Sequence, residues 1–214
     1  MFVFAFLAGC VPQEDYQALQ EENAKLLARV QKLDSILEKE KAQVADLQKD
    51  LKPLVDRGLL TIEVKNGKVT LSLRSDVLFA KGSADLSADG KEAVDQLARA
   101  LAHVAPDEDF QVEGHTDNDP IQTTQFPSNW YLGSARGITV LNQMIADGFP
   151  RTHISASTYA DTRPVADNGT AGGQQQNRRI EVVLLPDVSD LYKRLEHPGG
   201  GGGKKGKGKK KKDS

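Results

Sequence analysis

Asp117 and Arg136 are the residues whose types and spacing invite chemistry. Asp117 follows His115 and Thr116, and a loop then runs through Pro120 and Pro127 into a helical pattern that carries Arg136. On that helix Asn129, Gly133 and Arg136 stand at i, i+4 and i+7 and so share one face. A mid-helix glycine costs about 1 kcal/mol relative to alanine. A ligand or a neighbouring backbone entering the gap at Gly133 would offset that cost. The free N–H groups of the helix's first turn favour an anion nearby. A carboxylate on one side and a guanidinium fork on the other suit a zwitterion with an ammonium and a carboxylate on one carbon. The same two residues also read as an exposed intradomain ion pair, contributing under about 1 kcal/mol. The residues alone leave both readings open.

The elements that position this pair follow from pattern. "LLTIEVKNGKVTLSL" is two alternating strands about Asn66-Gly67, a strong hairpin signal. Ser87 is expected to cap a helix with an apolar stripe at Ala93, Val94, Leu97, Leu101 and Val104. "FQVEG" reads as a strand. Ser128 is expected to cap the helix of Arg136, whose core stripe is Leu132, Ala135, Ile138, Leu141 and Ile145 and whose end is Gly148. "HISASTYA" and "IEVVLLP" supply further strands. The fold class is α/β (α+β): a two-layer sandwich with a mixed β-sheet and helices on one face, preceded by a long coiled-coil helix.

That helix is written in heptads. Tyr16, Leu19, Asn23, Leu26, Val30, Leu33, Leu37, Glu40, Val44, Leu47 and Leu51 alternate spacings of three and four, the a/d seam of a coiled coil. Asn23 at an a position is a residue type that fixes register and oligomer state. Pro53 is expected to stop the helix. Self-association of this stalk is the expected partner contact, and a lone solvated helix is the plainer alternative.

The termini differ in kind. "MFVFAFLAGC" is an apolar run ending in small residues and Cys10, the pattern of a secretory signal before a cleavage site. It resembles a bacterial lipobox, and that resemblance implies acyl chains on Cys10 and, with Val11 following, placement in the outer membrane. Cys10 is the single cysteine, so no intrachain disulfide forms. Residues 198–214 carry seven lysines against Asp213, a net +6, which leaves −8 for the rest of a chain whose total is −2. An acidic folded part argues against nucleic acid as the main partner. The tail is low in complexity and expected to be disordered. It reads equally as a contact for anionic surfaces or as a solubilising end. The boundaries are 1–9 truncated signal segment, 10–15 lipidated linker, 16–51 stalk, 59–187 folded domain, 188–197 terminal helix and 198–214 basic tail.

Other chemistries lack support. His115 and Asp117 are two apart, and His103, His153 and His197 are scattered, so no closely spaced zinc set is present and no metal is expected. There is no G-x-S-x-G, P-loop or G-x-G-x-x-G, so no enzyme and no cofactor are expected. Glu113 and Asp117 form a glycosidase-like pair only in composition.

Phe79 with "GSADLS", then "VEGHTDNDPI", "FPSNWYLGSARG", "YADTRPVADN" and "NRRIEVVL", in that order over about residues 75–187, resemble the OmpA-like domain of outer-membrane protein A, the Pal lipoprotein and the motor protein MotB. The resemblance implies non-covalent binding of peptidoglycan through diaminopimelate, tethering an outer membrane to the wall. It gives Asp117 the ammonium and Arg136 the carboxylate, matches Asn129 to the family's helix asparagine, and has Phe79, Gly114, His115 and Thr116 shape the pocket. The chain departs from the family at Gly137, where alanine is usual, and at Ala160, where glycine is usual. Two alternatives stay in view: a MotB-type stator anchor, which needs a membrane-spanning helix, and a coiled-coil interaction lipoprotein.

Overall fold

The computed structural model describes residues 13–65 and 68–185, with the side chains of Ile36, Lys39 and Glu40 set aside. Cys10, the Asn66-Gly67 turn, the terminal helix expected at 188–197 and the basic tail lie outside the described residues. The chain divides at Asp50/Leu51 into two units.

The first unit holds one helix, α1, Gln13–Asp50. Its heptad seam is bare over the first part of its length, where Tyr16, Leu19, Leu26, Val30, Leu33 and Leu37 are all about half exposed or more, whereas Leu47 is 3% exposed. Burying an exposed apolar side chain of this size contributes about 1.5–3 kcal/mol. Pro53 does not simply follow the helix. It stands at the second position of a short helix α2, Lys52–Asp56, where a missing N–H leaves no bond unmade. Among the described residues no helix is long and apolar enough to cross a membrane.

The second unit is built on five strands in the order β1-β2-β5-β3-β4. β1 (Leu60–Lys65) and β2 (Lys68–Arg74) form the expected hairpin, with Lys65 opposite Lys68. β5 (Arg179–Leu184) pairs antiparallel with β2 and with β3 (Phe110–His115). β3 pairs in parallel with β4 (Ile154–Ala160). The sheet is therefore mixed, as its residue pattern predicts. Helices α3 (Ser75–Leu78), α4 (Ala88–Val104), α5 (Asn129–Ala146) and α6 (Ala171–Asn177) complete the unit.

Side-chain parity splits the sheet into two faces. One carries Leu71, Leu73, Ile180, Val182, Phe110 and Val112, all buried. The other carries the alternate set, including Thr70, Glu113, His115, Arg179 and Glu181, which are also nearly inaccessible. α5 packs on β3 and β4, and α4 lies against α5. Ser87 caps α4 as expected: its Oγ accepts from the Gly90 N–H and donates to the Val77 carbonyl, each at 2.9 Å. Phe110 and Phe149 meet edge to face at 5.6 Å and close the end of the core.

α5 differs from its expected stripe. Its buried face is Leu132, Gly133, Arg136, Gly137, Val140 and Met144, whereas Ile138 is 51% exposed. The helix turns its smallest residues to the sheet, and closeness of approach outweighs the burial of one isoleucine. Gly133 meets Gly114 of β3 there. A Cβ on Gly114 would run into the Gly133 carbonyl, and one on Gly133 would run into Thr158 Oγ1. The gap at Gly133 is filled first by the Thr158 side chain, with the Gly114 carbonyl behind it, so protein rather than a ligand occupies it. Thr158 Oγ1 donates to the Gly114 carbonyl at 2.9 Å and ties β4 into the same contact.

Gly114→Ala forces a backbone displacement at this crossing. The expected cost is about 1–3 kcal/mol, read as a lowered urea midpoint. An unchanged midpoint would contradict the close approach described.

Candidate ligand-binding site

The site is assembled at one end of the β3–α5 crossing. β3 runs into Thr116 and Asp117, whose positions are fixed by the backbone. The Thr116 N–H donates to the Ala160 carbonyl at 2.9 Å, and Thr116 Oγ1 donates to the Asp117 carbonyl at 2.8 Å. Ala160 is held at φ 48, a left-handed conformation that costs a non-glycine residue about 1–2 kcal/mol. This strain sits where the family resemblance expects glycine.

Asn129, at the start of α5, clamps the loop. Its Oδ1 accepts from the Ile121 N–H at 3.1 Å, and its Nδ2 donates to the carbonyls of Asp117 (3.2 Å) and Asp119 (3.0 Å). Ser128 makes no side-chain capping bond; its carbonyl instead accepts from the Tyr131 and Leu132 N–H groups. Beneath the loop Phe126 and Leu132 form a small buried cluster with Ala84, against which Ile121 packs. A long loop is thereby held at both its polar and its apolar side.

These elements enclose a cleft of about 540 Å³ lined by Phe79, Thr116, Asp117, Asn129, Arg136 and Arg178, among others. Five of the seven ligand-site residues expected from sequence line it. Gly114 and His115 are not among its lining residues. Gly114 is spent on the approach to Gly133, and His115, next along an alternating strand, lies on the other face of the sheet.

Arg136 is only 5% exposed. Its Nε donates to the Ser83 carbonyl at 2.8 Å, and its guanidinium lies 5.0 Å from the centre of the Phe79 ring. No other protein acceptor engages it among the described residues. Burial first, then the neighbouring Arg178, push its pKa down to about 10, against the pull of Asp117. A guanidinium has five N–H donors, so most of its capacity is left for a ligand.

Asp117 has a different partner from the one its spacing proposes. Its Oδ2 receives Arg178 Nη1 at 2.5 Å. Arg178 follows α6, and its side chain is 36% exposed. The neighbouring Arg179 turns to the opposite side of the sheet, where Nε donates to Glu181 Oε1 at 2.8 Å. Sequence reasoning missed Arg178. The signal was the paired arginines of "NRRIE", of which alternation sends one to each face.

Among the described residues Arg136 thus has no carboxylate partner, Asp117 is paired with a part-exposed Arg178, and all three line one cavity.

Comparison with known proteins places this geometry. The OmpA family model matches residues 78–178. Outer-membrane lipoprotein YfiB of Pseudomonas aeruginosa is 30% identical over 122 residues, 57% of this chain and 70% of the relative. Motility protein B of Bacillus subtilis is 31% identical over 151 residues, 70% of this chain and 56% of the relative. The chain spans about half the length of several curated relatives it matches. Among solved structures, the cell wall anchor of the T6SS from Pseudomonas aeruginosa superposes with a TM-score of 0.61 at 30% identity, covering 66% of this chain and 97% of that one.

Asn129→Ala removes three backbone contacts at once. It is expected to destabilise the loop by about 1–3 kcal/mol and to speed amide exchange at Ile121 by more than ten-fold. Unaltered protection of Ile121 would show that the apolar cluster alone holds the loop.

Proposed function

Because this chain belongs to the OmpA family, we propose that its cleft binds peptidoglycan non-covalently, through the free amino-acid head of diaminopimelate in the stem peptide. Asp117 takes the ammonium and Arg136 the carboxylate, with Phe79 and Thr116 as walls. The observation that carries this reading is Arg136: a buried guanidinium without a protein carboxylate, facing a cavity with Asp117 on its lining. A desolvated cation held this way binds an anion more strongly than a surface one does. Arg178 gives up Asp117 as the ammonium arrives. Losing that pair reduces the net gain, so single-site affinity is weak, about micromolar to millimolar.

The role that fits weak single-site binding is tethering. Lipid-anchored at Cys10 in the outer membrane, with its domain on the periplasmic side, the protein would reach the wall on α1. That helix has 38 residues and spans about 57 Å at 1.5 Å per residue. Its bare heptad seam supports pairing with a second copy, and two domains on a polymer of repeated peptides gain by effective concentration. Binding requires no bond making, so the protein is not an enzyme in this reading. The similarity to Motility protein B supports a second reading, a motor-stator wall anchor, which differs by requiring a spanning helix before Gln13.

Wall sedimentation with free diaminopimelate as competitor tests the site. Asp117→Asn and Arg136→Gln are each expected to weaken retention about ten-fold or more, the worth of one charge-assisted bond, and competitor should release the wild type. Undiminished retention by both folded variants would reject the site. Sedimentation equilibrium tests the stalk: the wild type should self-associate, and Leu26→Asp with Leu33→Asp should yield monomers. A wild-type monomer at high concentration would remove the paired stalk while leaving the cleft untouched.

A further inference from the structure

We propose that Glu113, His115 and Glu181 form a binding site for a divalent transition cation of the zinc type, on the sheet face that looks away from α5. The register builds it. Glu113 of β3 stands directly opposite Glu181 of β5, and two like charges placed so in an antiparallel pair repel. His115 is two residues on from Glu113, on the same side.

The ring of His115 is 1% exposed, and among the described residues neither of its nitrogens has a hydrogen-bond partner. It stacks on Tyr159 with centres 5.5 Å apart, which fixes its plane. Its Nε2 faces Glu113 Oε2 at 3.6 Å and Glu181 Oε2 at 3.7 Å. Those separations decide between two occupants. A proton shared between imidazole and carboxylate draws N and O to about 2.7–2.9 Å. Ligand atoms around a tetrahedral zinc, each at about 2.0–2.2 Å, stand about 3.3–3.6 Å apart. The two separations from Nε2 stand close to the second spacing and far from the first, and the three ligand atoms lie within 4.8 Å of one another.

The surroundings fit a second shell. Arg179 Nε and Lys65 Nζ both donate to Glu181 Oε1, at 2.8 and 3.2 Å, which leaves Oε2 turned to His115. Ligating carboxylates are ordinarily held in this way. Lys65 also pairs with Glu63 at 3.1 Å. This group of Glu63, Glu113 and Glu181 against Lys65 and Arg179 is one positive charge short, and Glu113 is the carboxylate without a basic partner other than His115. One imidazole and two carboxylates suit zinc over magnesium or calcium, which prefer all-oxygen shells.

The test is calorimetric titration of the EDTA-treated full chain with zinc chloride, alongside a thermal scan. The expected result is one equivalent bound and a raised Tm with zinc but not with magnesium. Glu113→Gln keeps the shape of the site and should weaken binding by about ten-fold or more. His115→Ala should abolish it, and the Glu113 variant covers the case in which the alanine variant fails to fold. His153→Ala removes a separate imidazole–carboxylate pair with Asp109 and should leave the titration unchanged. No zinc binding by the wild type, or binding unaffected by Glu113→Gln, would overturn the site.

Discussion

Helix α5 meets strand β3 with no side chain between them, and the rest of the site depends on that. Gly114 and Gly133 bring backbone against backbone, so closely that a Cβ on Gly114 would strike the Gly133 carbonyl, while one on Gly133 would strike the Thr158 hydroxyl. Three residues beyond Gly114 comes Asp117, and three beyond Gly133 comes Arg136. The crossing therefore carries the carboxylate and the guanidinium onto one cleft from two elements distant in the chain. The same demand explains why α5 buries its glycine face and leaves Ile138 outside. A helix stood off by ordinary side chains would satisfy its apolar residues better and separate the two charges.

With the crossing in place, the electrostatics are unequal by design of the fold. Arg136 is sunk, braced by the Ser83 carbonyl and the Phe79 ring, and cannot follow a distant anion. Asp117 is equally sunk but is met by Arg178, whose side chain reaches in from the rim. One pole is thus preorganised and, among the described residues, without a paired carboxylate, and the other is occupied by Arg178. A ligand with a single negative charge satisfies only the first pole. In the proposed function a zwitterionic head satisfies both, and the cost of releasing Arg178 would keep its affinity modest. Modest affinity suits a tether that must engage a polymer at many points.

Much of this was legible in the residues, for local reasons. The long first helix, the Ser87 cap, the pairing of β1 with β2 and the helical phase of Asn129, Gly133 and Arg136 depend on neighbours within a few positions. What was not legible depends on tertiary approach. Arg178 lies 61 residues from Asp117, and no spacing rule links them. Ser128 does stand at the N-cap of α5, but its hydroxyl makes no bond to the helix, and the Asn129 side chain goes to the loop instead. The opposite fates of Gly114 and His115 were within reach, because strand parity alone sends them to different faces.

The most direct measurement is a crystal structure of the protein soaked with meso-diaminopimelate. The account predicts an ammonium on the Asp117 carboxylate, a carboxylate on the Arg136 guanidinium, and the Arg178 side chain withdrawn from Asp117. A ligand bound elsewhere, or bound in the cleft with the Asp117–Arg178 pair intact and Arg136 untouched, would contradict it.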